Sequence, residues 1–353
     1  MSTILGNPIT LGGGGGNELI VTAPTGSTVT AIKGSITKTA TEKNGTWTFK
    51  GLEAGDWEIV ATKGSATKTI TVTITNEMAE IYYKPDFTYT GAWEWYNEEH
   101  TILKLKTSGT ITFDSDFLAD VFCVGGGGHG SPSVSSNTTY YCGGGGGGGY
   151  TTTQRVRFTK GTQYNAVIGA GGTAADRYGG GAGGETSLNG VVAGGGIGGG
   201  RFGATGGVSS QVNYGGNGGS GGGGGGHSNG GDGGSDGSNG LPGHLGGRPS
   251  SSSPNYVGIG QGTTTRAFGE SNGELFAGGG GAGSDWASNT YASAGGAGGG
   301  GAGGYGNTTK ECIGKDGVEN TGGGGGGAST IIRQSSTYAG GYGGSGVILV
   351  RFV

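Results

Sequence analysis

Charge is what this chain has least of. Asp, Glu, Lys and Arg make up 12% of its 353 residues, with 20 cations against 24 anions and a net charge of -4. Nucleic-acid binders carry a basic patch or an excess of Lys and Arg, so no nucleic-acid partner is expected. Long apolar runs are missing too. No stretch approaches the roughly 18 residues needed to cross a bilayer, so no membrane insertion is expected. Residues 1–16 lack the basic start and apolar middle of a signal peptide, which points to synthesis in the cytoplasm. The three cysteines, Cys123, Cys142 and Cys312, are far apart. Metal sites and redox motifs need close pairs, so buried, reduced thiols are expected, with no metal and no cofactor.

What the chain does have is glycine, 96 residues of 353. Of these, 14 fall in residues 1–124, which leaves 82 in the remaining 229. An ordinary enzyme core is not built from such a composition. The run 12–16 separates a short apolar leader (Ile4, Leu5, Ile9, Leu11) from the rest of the chain, so residues 1–16 read as an attachment segment ending in a hinge.

From residue 17 to 84 apolar and polar residues alternate, as in Leu19/Val21, Trp47/Phe49, Trp57/Ile59/Ala61 and Ile70/Val72/Ile74. Period two means strands with one buried face, and six or seven short ones suggest a small β-sandwich. Asn44-Gly45 is expected to turn a tight hairpin. The stretch Asn44-Gly45-Thr46-Trp47-Thr48-Phe49 with Gly51-Leu52-Glu53-Ala54-Gly55-Asp56-Trp57 resembles carboxypeptidase-regulatory-like, immunoglobulin-type modules. That resemblance implies a spacer or attachment domain.

Residues 85–353 form the third unit. Strand patterns run from Phe87 to Val124, recur at 154–158, 164–168 and 187–193, and close with 347–353. Both phases of that last segment are apolar, Val347/Leu349 and Ile348/Val350/Phe352, so a central strand covered on both faces is expected. Between the strands stand pure glycine runs at 143–149, 221–226 and 322–327. Collagen admits only glycine where a neighbouring chain packs against a polyproline-type helix. Runs with glycine at every position therefore suggest threefold strands with neighbours on all sides, packed as polyglycine II helices. At about 3.1 Å per residue, 143–149 would span about 22 Å. The fold class expected is all-β, an immunoglobulin-like sandwich followed by a jelly-roll-like sandwich that carries the bundle.

Glycine has no side chain with which to recognise anything, so the loops between runs must. Aromatic and Arg residues beside Asn and Ser give large rigid contact area with hydrogen bonds alongside. The candidates are Tyr140 and Tyr141, Arg177 and Tyr178, Arg201, Phe202 and Tyr214, and Trp286 and Tyr291. Alternating chain direction places loops 131–142, 173–178 and 201–214 far from the sandwich. Continued to the end, the alternation leaves 340–346 on the wrong side, so one excursion must bend. Segment 248–276 breaks the rhythm of run and loop. Catalytic signals are weak. No G-x-x-x-x-G-K-[ST] occurs, and Gly230-Gly231-Asp232-Gly233-Gly234-Ser235-Asp236 is a single imperfect copy of a calcium-binding repeat. A glycosidase would need paired carboxylates, with Glu270, Glu274, Asp285 and Asp316 as the candidates. No enzyme is expected.

A more specific likeness covers 87–353. Thr110-Ile111-Thr112-Phe113, Val121-Phe122-Cys123-Val124 before Gly125-Gly126-Gly127-Gly128, Gly149-Tyr150-Thr151, Ile168-Gly169-Ala170-Gly171-Gly172, Gly184-Glu185-Thr186-Ser187, Ala193-Gly194-Gly195-Gly196 and Gly344-Ser345-Gly346-Val347-Ile348-Leu349-Val350-Arg351-Phe352 resemble, in order, the glycine-rich domain of bacteriophage tail proteins. The resemblance implies a virion protein of the tail-fibre tip. It implies an adhesin whose partners are a bacterial surface glycan or outer-surface protein and, through the N-terminal region, other tail proteins. A homo-oligomer is compatible with it, trimers being common among such parts. The other reading is a structural virion component that binds no receptor.

Overall fold

A computed structural model describes residues 9–13, 17–23, 26–43, 46–53, 55–74, 80–81, 85–97, 101–135, 140–175, 179–201, 213–225, 232–240, 258–262, 265–284, 292–305, 311–331 and 337–352. The described chain is all-β apart from one short 3-10 turn, Ala267–Gly269.

The N-terminal alternation produces two antiparallel sheets. One orders Thr41–Lys43, Thr46–Lys50, Asn17–Thr22, Ile9–Gly13 and Glu80–Ile81, and the other Ile36–Thr39, Thr28–Lys33, Gly55–Lys63 and Ala66–Ile74. Every second residue turns inward, so Leu19, Val21, Trp47 and Phe49 of the first sheet share a core with Val29, Trp57, Ile59 and Val72 of the second. The strands flanking Asn44-Gly45 pair as a hairpin, with Lys43 opposite Thr46, while the turn itself lies outside the described residues. Of the run 12–16 expected as a hinge, 14–16 lie outside the described residues. Ile9–Gly13 pairs with Asn17–Thr22 from Ile9 opposite Val21 to Gly13 opposite Asn17, so Gly12 and Gly13 are strand residues. The alternation of Ile9 and Leu11 continues the period-two pattern, and glycine backbone makes the same ladder bonds as any other residue.

A second sandwich comes next in the chain. Phe87–Tyr89, Gly109–Phe113 and Gln163–Ala166 form one sheet, and Trp93–Trp95, Ile102–Leu105, Val347–Phe352, Phe117–Val124 and Thr151–Phe158 the other. The apolar chain end sits between two neighbours, as its two-phase pattern demands. Ile348, Val350 and Phe352 face the inter-sheet core with Val121, Cys123 and Phe113. Val347 and Leu349 face outward with Phe122 and Val124 and are covered by Ala267 and Phe276. Part of segment 248–276, which breaks the rhythm of run and loop, is therefore a plug over the sandwich. The side chain of Arg351 fastens it by bonding Asp120 (2.9 Å) and Glu270 while lying 4.2 Å over the Phe268 ring. Asp120 also receives Arg155 at 2.8 and 3.1 Å. Burial alone would raise the Asp120 pKa, but these two guanidinium groups outweigh it and hold the carboxyl below its ordinary value.

The segment expected as one strand at 187–193 is a hairpin, Thr186–Leu188 paired with Val191–Ala193. Asn189 (φ 49°) and Gly190 (φ 81°) make the turn, an Asn-Gly signal of the same kind as at 44–45.

Between the strands the glycine runs are ordered by hydrogen bonds with a period of three. Gly143, Gly146 and Gly149 donate N–H groups to Ala328, Gly325 and Gly322 at 2.8, 2.8 and 2.7 Å. Gly145 and Gly148 reach Gly223 and Ser220, and Gly147 reaches Ile197. The carbonyls of the same run accept from Gly128 and Ser131, from Gly216 and Gly219, and from Gly280 and Gly283. Run 143–149 thus lies among six segments: 125–131, 194–199, 215–219, 220–225, 277–283 and 322–328. Each third of its residues serves different neighbours, which satisfies buried backbone groups without any sheet.

Candidate functional site

The hydrogen bonds also give each run a height above the sandwich. Gly125 and Tyr150 adjoin the strands of the sandwich and bond to each other (3.0 Å), as do Gly346 and Gly169 (2.8 Å). At the opposite end Ser131 meets Gly144 (2.8 Å), Gly143 meets Ala328, Gly180 meets Gly199 (2.8 Å) and Ser284 meets Gly304 (3.1 Å). Among the described residues the runs alternate between the two ends. The described residues that flank 132–142, 174–179, 201–214, 226–231, 241–257, 285–291, 306–310 and 332–336 stand toward the end away from the sandwich. Loops 131–142, 173–178 and 201–214 are among them, as their sequence order suggested.

The bend that the sequence could not locate has a physical explanation. Reversals at 219–220, 236–237, 297–299 and 319–322 occur at the sandwich end. Gly298 and Gly299 turn with φ of 93° and 96°. Two of these reversals, 219–220 and 297–299, lie inside glycine-rich sequence with no Pro, Asn or Asp at the turn itself, so the letters carry no mark of them. The last run approaches the sandwich and delivers Val347–Phe352.

Four of the candidate recognition residues have described backbone at the far end. Tyr140 and Tyr141 form a strand opposite Ser133–Ser135, which pairs in turn with Thr337–Tyr338. Arg201 stands opposite Asn213, and Tyr214 opposite Gly200. Loop 131–142 is thereby tied to the segment 337–338, and loop 201–214 is closed at its own base. Arg177, Tyr178, Phe202, Trp286 and Tyr291 lie outside the described residues.

The carboxylates weighed for glycoside chemistry have other occupations. Glu270 bonds Arg351 and Glu274 accepts from the Tyr96 hydroxyl (2.7 Å), both on the plug at the sandwich end. Asp316 accepts the Tyr342 N–H (2.7 Å), and Asp285 lies outside the described residues. In the calcium-like tract Asp232 accepts the Ala294 N–H (2.7 Å) and Asp236 bonds Arg266 (3.3 Å). The three cysteines are buried and not joined in disulfides, and burial pushes the Cys123 thiol up to about 12. No helix among the described residues is long and apolar enough to cross a membrane.

Sequence reading missed one buried titratable group. His129 interrupts the run 125–131, 2% exposed, with Nδ1 hydrogen-bonded to the Gly130 carbonyl and its ring edge-on to Tyr342 at 5.3 Å. Burial lowers its pKa, opposed by the Gly130 carbonyl and by the charge of Asp316. A histidine whose pKa is depressed on folding favours the native state while neutral, so its contribution is present above about pH 6.5. It declines as the pH falls from there toward the lowered folded-state value. Denaturant unfolding at pH 7.5 and pH 5 should therefore show an acid loss of stability in the wild type that is reduced in His129→Gln; equal losses would contradict this assignment.

The glycine-rich domain family is matched by this chain over residues 106–353. No curated protein matches the chain.

Proposed function

The chain belongs to the glycine-rich domain family, and on that premise we propose that it is a receptor-binding adhesin of a bacteriophage tail tip, acting in the virion. The observation that carries this reading is that, apart from the plug 265–276, the described flanks of the bundle's excursions stand toward the end away from the sandwich. A rigid base with loops displayed from one face is how recognition surfaces are commonly built. In this reading the runs pack as polyglycine II helices and hold the loop stems in place, which lowers the entropy lost on binding. Tyr140, Tyr141, Arg177, Tyr178, Arg201, Phe202, Tyr214, Trp286 and Tyr291 supply the contact chemistry, aromatic faces for sugar rings or side chains and Arg for hydrogen bonding. The partner is a bacterial surface glycan or an outer-surface protein. The immunoglobulin-like N-terminal module attaches the chain to other tail proteins. The protein binds without catalysing a reaction.

The test is adsorption. Fluorescently labelled protein, added to a panel of bacterial strains and read by flow cytometry, is expected to stain a subset of them. Replacing 136–141 and 201–214 with Gly-Ser of equal length should reduce staining by about tenfold or more at an unchanged melting temperature. Staining of no strain would favour a structural virion component without a receptor, and staining that survives both replacements would move recognition away from these loops.

A further inference from the structure

The hydrogen bonds sort the runs into rows. One outer row holds 258–261, 215–219, 194–199 and 179–184, joined by Gly218 N–H to the Ile259 carbonyl (3.1 Å), Ile197 N–H to that of Asn217 (2.7 Å) and Gly183 N–H to that of Gly196 (2.9 Å). Behind it lies 238–240, 220–225, 143–149, 125–131 and 168–172, then 232–235, 277–283, 322–328 and 339–346, then 292–297, 299–305 and 311–318. The two middle rows are covered on both sides. The four-run outer row is covered only from within by described residues.

Its outward side has unusual chemistry. Among the described residues neither the N–H nor the C=O of Gly195 or Gly198 has a hydrogen-bond partner. The two residues are three apart, the interval at which Gly143, Gly146 and Gly149 engage the neighbouring run. Their side-chain directions are filled along the row, since an added methyl would strike the carbonyls of Gly183 and Gly180. At Gly195 and Gly198 the edge is therefore bare backbone. On the same row Ile197 is 49% exposed and Ile259 61%, on either side of Asn217, whose Oδ1 accepts the Ile259 N–H at 2.6 Å.

We propose that this row is a homotypic docking face, covered in solution by the same row of a second copy. Open ladder edges invite pairing, and an edge with this three-residue rhythm selects its partner. An extended threefold backbone with glycine at the two points of contact can come within hydrogen-bond distance of both Gly195 and Gly198. Gly195 and Gly198 of a second copy supply that complement, with Ile197 and Ile259 beside the contact, and self-complementary twofold contacts are the commonest kind. The inference rests on the row geometry and does not require a receptor. With strands spaced about 4.8 Å apart and runs of four to six residues at about 3.1 Å per residue, the four runs offer roughly 300 Å² per partner, well under half of a stable interface. The dimer is therefore weak and forms where copies are concentrated.

Sedimentation of the full chain over a hundredfold range of concentration tests this. The weight-average mass is expected to rise from 34.3 kDa toward twice that value. Ile197→Arg and Ile259→Arg place like charges across the contact and should each raise the dissociation constant about tenfold or more, without a change in melting temperature. A wild-type chain that stays monomeric throughout, or variants that associate as the wild type does, would overturn the proposal.

Discussion

Replacing Gly146 with alanine is expected to lower stability by about 3 kcal/mol, while the same change at Gly194 leaves it nearly unaltered. Gly146 lies in the run that has neighbours on all sides, and its N–H and C=O bond Gly325 and Gly280 at 2.8 and 2.7 Å. A methyl group there would land on the carbonyl oxygen of Gly128, well inside the 3.0 Å that real methyl carbons keep. The obstacle is backbone, which cannot rotate away as a side chain can. Relief requires two runs to separate, and separation breaks the hydrogen bonds on that side at about 0.5 to 1.5 kcal/mol each. Gly194 belongs to the outer row, and a methyl there would meet only a Tyr150 ring carbon at an ordinary 3.6 Å. Alanine also restricts the unfolded chain, which offsets small costs by about 0.4 to 1 kcal/mol. For a domain of this size the Gly146 variant should melt about 6 to 12 °C lower, as measured by calorimetry. Equal melting of the two variants would show that the runs are not held at the spacing their hydrogen bonds describe.

The same steric contrast explains what the sequence could reveal. Order in the glycine was legible because steric exclusion leaves a trace: a run such as 143–149, glycine throughout, is what a strand enclosed by backbone requires. The central position of Val347–Phe352 was legible from its two apolar phases, and the N-terminal sheets from strict alternation at Trp47/Phe49 and Trp57/Ile59. The arrangement of the bundle was not. Hydrogen bonds between glycines carry no residue-specific signal, so nothing in the letters says that Gly145 meets Gly223 and Gly146 meets Gly325. The plug 265–276 was obscured for a different reason. Its anchors are single residues, Ala267, Phe268 and Phe276, whose spacing matches neither a strand nor a helix, and Phe268 sits at φ 55° where sequence patterns offer no guide. Of the candidate site, the direction of its first three loops was readable, because each begins or ends near a recognisable strand.

Removing Val347–Phe352 is expected to abolish cooperative folding of the glycine-rich domain while the N-terminal module still melts on its own. This strand pairs with Ile102–Leu105 on one side and Phe117–Val124 on the other, and Val347, Ile348, Leu349, Val350 and Phe352 are at most 1% exposed. Burying five such side chains contributes about 7 to 15 kcal/mol, as much as the whole net stability of a typical domain. The loss is not confined to the sandwich. Gly125, Tyr150 and Gly346 join the bundle to strands Phe117–Val124, Thr151–Phe158 and Val347–Phe352, and without the third of these the two hydrophobic faces and the plug lose their common centre. Glycine runs lose more conformational entropy on ordering than any other sequence, so they depend on a base that holds their ends at fixed spacing. The N-terminal sheets have a core of their own around Trp47, Trp57 and Phe49, with no member drawn from the C-terminal strand. Calorimetry of the truncated chain should therefore retain one transition of the two, and a bundle that still melts cooperatively without this strand would mean that packed glycine runs hold themselves together.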